Sequence, residues 1–172
     1  MSRDLKSAED LSTPQSKIYN QIQAMRAVTL SDAGNWVESC KIFEEVIQRG
    51  QKNALPWWLR YSMSLLETNR GIEAVQFLQR VTSSFPEEAE CKAFAAALYT
   101  SQGAPEEGAK YWSKLLPEEQ EKYKNLVFIK KLKWGPVATA NYQKFVDSLI
   151  DMKVSTVGSL KVADGINEDA GD

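Results

Sequence analysis

An all-α fold, made of three consecutive helix-turn-helix units closed by capping helices, is what this sequence predicts. Three observations lead there. The first is the stretch LETNRGIEAVQFLQRVTSSFP, Leu66 to Pro86, which reads as the end of one helix, a tight turn and a complete second helix. Asn69, Arg70 and Gly71 interrupt the apolar pattern, and Ile72, Val75, Leu78 and Val81 resume it at every third residue. Pro86, with no N–H to donate, stops it. The second observation is recurrence. Ser39, Ala74 and Gly108 fall 35 and 34 positions apart, each followed four residues later by Phe43, Leu78 or Trp112, and three after that by Val46, Val81 or Leu115. The third is punctuation: Gly34 and Gly103 sit in turns, Pro105 opens a helix, and Gly50 and Pro117 close them.

Taken in order, residues 1–15 are polar and contain Ser12, Thr13 and Pro14, so they read as a flexible N-terminal arm. A helical domain follows over 16–153. Its first repeat, about 17–53, includes DAGNWVESCKIFEEVIQRG, which puts Val37, Phe43 and Val46 on one face. The second spans 54–88 and the third 89–117, the latter containing SQGAPEEGAKYWSKLLP. Capping helices occupy 118–153: one runs from Pro117 through EKYKNLVFIKKLKW, Gly135-Pro136 breaks it, and a last helix carries Tyr142, Phe145, Val146, Leu149 and Ile150. Residues 154–172, poor in large apolar residues and rich in Asp and Gly, read as a disordered acidic tail. Each hairpin has an apolar face too small to fold alone, so neighbours must stack, and the small residues Ala27, Ser62 and Ala96 let helices approach. A non-repeating helical bundle is the alternative for the same hairpins.

The middle unit, with Trp58-x-x-Tyr61-Ser62-x-x-Leu65, then Ala74-x-x-x-Leu78 and Pro86, resembles the tetratricopeptide repeat (TPR). The first unit departs from it at Gln23 and Arg26, and the third at Lys92. The resemblance implies a right-handed α-solenoid in which the first helix of each hairpin lines a ligand groove. Carried over, the groove positions are Gln21, Ala24, Val28 and Ser31; Leu59, Met63, Leu66 and Glu67; and Glu90, Ala93, Ala97 and Thr100. Family members that clamp acidic carboxyl tails use lysines, an arginine and asparagines there; those are missing, which argues against that ligand. An apolar groove suits an amphipathic helix or extended apolar segment of another protein, with Trp57, beside Arg60, as a candidate anchor. The chain's own terminal helix is the alternative occupant. Trp134, Pro136, Tyr142 and Phe145 are also similar to the closing helices of TPR-like proteins of plastids and cyanobacteria, which implies association with thylakoid complexes or their assembly.

Composition narrows the chemistry. The 172 residues are 43% hydrophobic and 26% charged with net charge −2, so the whole-molecule field favours no polyanion. No apolar run approaches the roughly 20 residues that cross a bilayer, and the polar start shows no signal-peptide core. Cys40 and Cys91 read as packing residues. There is no histidine, hence no imidazole base or ligand, and no Gly-rich phosphate loop. Acidic pairs such as Glu87-Glu88 and Glu106-Glu107 are adjacent and sit at helix starts, where they favour the dipole. The expectation is therefore a monomeric, non-enzymatic scaffold or assembly factor without cofactor or metal, soluble in the cytoplasm or chloroplast. The alternative is a membrane or nucleic-acid contact through Lys130, Lys131 and Lys133 of the cap, with Lys122 and Lys124. Against it, Glu118, Glu119 and Glu121 dilute the positive field, and the lysines can simply form the wetted face of a helix that docks through Leu126, Ile129 and Leu132.

Overall fold

A computed structural model describes residues 14–49 and 55–163, with side chains over 17–49 and 55–149. The predicted arm, apart from Pro14 and Gln15, and the end of the predicted tail fall outside that range. Among the described residues the chain is all-helical. The helices are α1 (Pro14–Asp32), α2 (Trp36–Gln48), α3 (Trp58–Glu67), α4 (Gly71–Ser84), α5 (Ala89–Ser101), α6 (Pro105–Trp112), α7 (Pro117–Lys124), α8 (Leu126–Lys131) and α9 (Pro136–Ala163). The pairs α1/α2, α3/α4 and α5/α6 pack closely, and successive pairs join through α2 on α3 and α4 on α5.

One turn is used three times. Gly34, Asn69 and Gly103 each have a positive φ (82°, 62° and 73°), one repeat apart. Glycine adopts this left-handed conformation without a Cβ penalty, and asparagine is the L residue that tolerates it best. The next N–H reaches back to the fifth residue before it: Asn35 to the Leu30 carbonyl at 2.8 Å, Arg70 to Leu65 at 2.8 Å, and Ala104 to Tyr99 at 2.9 Å. The left-handed residues themselves donate to Ser31, Leu66 and Thr100 at 3.0, 3.1 and 3.1 Å. Together these bonds form a Schellman motif, which satisfies the last carbonyls of the first helix while reversing the chain.

Small residues then set how close the two helices of a pair come. Ala27, Ser62 and Ala96, together with Ser39, Ala74 and Gly108, are buried. Ser39 Oγ donates to the Ala27 carbonyl at 2.9 Å. A Cβ on Gly108 would lie 3.0 Å from Ala96 Cα and 3.1 Å from its carbonyl oxygen, so α6 rests almost directly on the backbone of α5. Aromatic residues fill the joint between the first two pairs and the inside of the second. Trp57 stacks on Phe43 at 5.1 Å, and Trp58 and Tyr61 meet Phe77 edge-on at 5.1 and 4.7 Å. Arg70 binds Glu44 of α2 at 2.5 Å and Glu73 of α4 at 2.6 Å, tying the first two pairs together.

Three expectations need correction. Val37 and Ile72, read as core, are 62% and 73% exposed. A helix turns about 100° per residue, so apolar residues three apart fall behind by about 60° at each step; after three steps Ile72 lies opposite Val81, as Val37 lies opposite Val46. The first capping helix is two helices, because the Asn125 carboxamide accepts the Val127 N–H at 2.9 Å and starts α8 afresh. The final helix extends past 153 to Ala163: Ile150, Val154, Val157 and Leu160 keep helical spacing, a signal hidden by the polar average of that stretch.

α5 has no exposed residue. α6 packs on it from one side, α9 from another, and α4 from the preceding pair.

Candidate functional site

The predicted groove residues lie mainly on α3 and α5, and α9 packs against both helices. Leu59, Met63 and Leu66 of α3, Ala93 and Ala97 of α5, and Ala24 of α1 are all buried, while Val28 and Trp57 are half-buried. Of the two occupants the sequence left open, another protein's segment or the chain's own last helix, it is the last helix that packs on α3 and α5. The physical cause is simple: a face of Leu, Met and Ala stays in water only at a cost of roughly 25 cal/mol per Å², and α9 carries a matching face. Its Ala138, Tyr142, Phe145 and Val146 are buried. Trp112 of α6 meets Tyr142 and Phe145 at ring separations of 6.2 and 5.7 Å, and the Tyr142 hydroxyl donates to the Tyr123 carbonyl at 3.1 Å. Burial pushes the Tyr142 phenol well above its usual range, so it stays a neutral donor.

Trp57 is not a free anchor, since its ring lies against Phe43 and edge-on to Trp58. Arg60, its expected companion on the surface, instead faces Asp32 at 3.9 Å and Glu90 at 3.8 Å and donates to the Met63 sulfur at 3.3 Å.

The segment leading into α9 is gripped by three carboxylates, one from the first helix of each pair. Lys133 Nζ pairs with Asp32 of α1 at 3.3 Å. The Trp134 indole N–H donates to Glu90 of α5 at 3.0 Å, and its ring meets Phe94 edge-on at 5.4 Å. Glu67 of α3 accepts the backbone N–H groups of Val137 and Ala138 at 3.0 and 2.8 Å, using one oxygen for each. Glu67 thus caps α9 from a distant part of the chain, where a carboxylate meets both unpaired N–H groups and the positive end of the helix dipole. Gly135 makes this possible, because a Cβ there would collide with the Glu67 carboxylate. Burial raises the Glu67 pKa, and its two backbone hydrogen bonds oppose the rise. An open cleft of about 470 Å³, lined by Gly34–Glu38, Glu67 and Thr68, keeps water close to it.

Glu67 and Glu90 were visible in the sequence as groove positions, without a partner. Asp32 was missed, although it stands one repeat before Glu67, the last residue of α1 as Glu67 is of α3. That periodic pair was the available signal. Of the predicted basic cap, Lys130 and Lys131 are exposed at the end of α8, whereas Lys133 lies beyond it with φ 56° and faces Asp32. The three do not share one helical face.

Cys40 and Cys91 are buried free thiols. Burial raises both, Cys91 to about 12, so neither is a thiolate nucleophile near neutral pH. Among the described residues no helix is long and apolar enough to cross a membrane. No family model, curated protein or solved structure matches this chain.

Proposed function

We propose that this protein is a non-enzymatic interaction scaffold: a TPR-like array whose face on α3 and α5 receives an apolar or amphipathic helix of another protein, with α9 holding that place in the partner's absence. The observation that carries the proposal is α9 itself, an amphipathic helix seated across two hairpins by buried apolar side chains. The site's chemistry is thereby displayed: a greasy centre with a polar clasp at one end. The TPR-like period of 34 to 35 residues supports the array, and the plastid-like closing motif at Trp134, Pro136, Tyr142 and Phe145 supports an assembly role at thylakoid complexes.

The test uses the full-length chain carrying Tyr142→Ser and Phe145→Ser, which unseats α9, and a labelled, uncharged Leu/Met-rich amphipathic peptide. Anisotropy at about 0.05 and about 1 M NaCl should give affinities within about threefold of each other, because apolar burial is insensitive to screening. Absence of binding at both salt concentrations would overturn the reading.

A further inference from the structure

We infer that the clasp is a recognition code, and that the natural occupant of this site is a partner helix carrying the same code as the chain's own segment Lys133–Phe145. The inference rests on the proposal that the face on α3 and α5 is exchangeable, and it names the partner's chemistry.

Each carboxylate answers a different kind of donor. Asp32 takes a flexible ammonium, Lys133, at 3.3 Å. Glu90 takes an indole N–H at 3.0 Å. Glu67 takes a bare helix N-terminus, two N–H groups at once, approached through a residue without a Cβ. These groups are consecutive in the segment, and their receptors come from three helices that are far apart in the chain. Arg60 sits between Asp32 and Glu90 and holds both carboxylates in place. A ligand must therefore offer a cation, an indole and a Gly-Pro helix start in that order, followed by small and aromatic residues at the spacing of Ala138, Tyr142 and Phe145. An amphipathic helix without the leader fills the greasy centre but leaves Glu67 without its two N–H partners and Asp32 and Glu90 with Arg60 alone, a cost that discriminates between ligands.

The segment in place is also held at a disadvantage. Lys133 has a φ of 56°, a backbone conformation that an L side chain seldom adopts. The chain must take it because α8 ends two residues earlier and the indole has to reach Glu90. A separate partner has no α8 to its rear and is free of that constraint. Tethering offsets the strain, since a linked segment competes at an effective concentration on the order of millimolar.

The decisive experiment uses two labelled peptides and two full-length chains. One peptide is residues 132–149 in native sequence; the other carries Trp134→Phe and Gly135→Ala. One chain is native, and the other carries the same two substitutions in its own segment, leaving Asp32, Glu67 and Glu90 untouched. The native peptide should bind the substituted chain at least about tenfold more tightly than the native chain, because its competitor is weakened. On the substituted chain it should outbind the substituted peptide by about tenfold, the scale of one or two charge-assisted hydrogen bonds. Amide exchange across residues 136–149 of the chain should rise as the peptide binds. Equal binding of the two peptides would overturn the code while leaving an exchangeable greasy face. No binding of either peptide to a substituted chain that still unfolds cooperatively would overturn both. Should that chain fail to unfold cooperatively, Phe145→Leu in the chain's own helix provides the same comparison.

Discussion

The first and last hairpins treat equivalent surfaces in opposite ways. Trp57, just before α3, and Arg60 of α3 face the preceding pair and the clasp: Trp57 stacks on Phe43, and Arg60 reaches Asp32. One repeat earlier, Ile22 and Met25 of α1 hold the same positions and are 56% and 70% exposed, with Ile18 at 55% one turn before. At the other end, α5 is enclosed by α4, α6 and α9 and exposes no residue. The difference teaches that burial in this molecule follows the presence of a neighbour, not the hydrophobicity of a helix. It also explains why neither α1 nor α5 is strongly amphipathic: α1 is apolar on its outer side as well as its inner one, and α5 is half-buried or buried throughout.

Substitutions at the two ends should therefore differ sharply in effect. The largest is expected at Tyr142, a fully buried ring that also donates to the Tyr123 carbonyl. Tyr142→Ala should cost about 4 kcal/mol in urea unfolding, the scale of large-to-alanine core changes; a loss under about 1 kcal/mol would show that α9 is not packed as described. Gly135→Ala comes next. Its methyl group displaces the Glu67 carboxylate from two N–H groups, for about 2 kcal/mol, and faster amide exchange at Val137 and Ala138 should locate the damage.

Glu67→Gln sharpens the comparison through pH. Burial raises the Glu67 pKa above 4.5, so the folded protein binds the proton more tightly than the unfolded chain does. Its contribution to stability is complete below the unfolded pKa and is lost as pH rises through the folded one. The stability of the wild type relative to Glu67→Gln should accordingly fall with rising pH from about 4.5 upward, followed by parallel thermal melts. A difference that grows with pH would reverse the assigned sign. The smallest effect belongs to the open end: Ile22→Lys should change stability by no more than about 0.5 kcal/mol. A loss comparable to that of Tyr142→Ala would mean that the α1 stripe is covered after all.

Local chemistry was legible in the sequence wherever it repeats. The turns at Gly34, Asn69 and Gly103 and the small residues at Ser39, Ala74 and Gly108 depend on backbone conformation and close approach, which few residue types permit. Their spacing therefore survives as a pattern in the letters. The clasp left a fainter trace. Asp32, Glu67 and Glu90 resemble any surface carboxylates until a segment about 100 positions later in the chain from Asp32 comes to rest on them. Val37 and Ile72 misled for a different reason, since a spacing of three keeps residues on one helical face for only a step or two. The break at Asn125 turned on one side-chain hydrogen bond, which no hydropathy pattern records.

α5 carries Ala93, Ala95, Ala96 and Ala97 in its central turns and has no exposed residue, with α4, α6 and α9 packed against it. It behaves as a slender axle, with its bearings fitted close to the shaft. Evolution can repaint an ordinary helix along its wet flank, but this one has only a narrow flank to repaint. Replacements along it should be filtered by bulk before polarity, so that descendants of this chain keep α5 thin even where their outer surfaces have drifted beyond recognition.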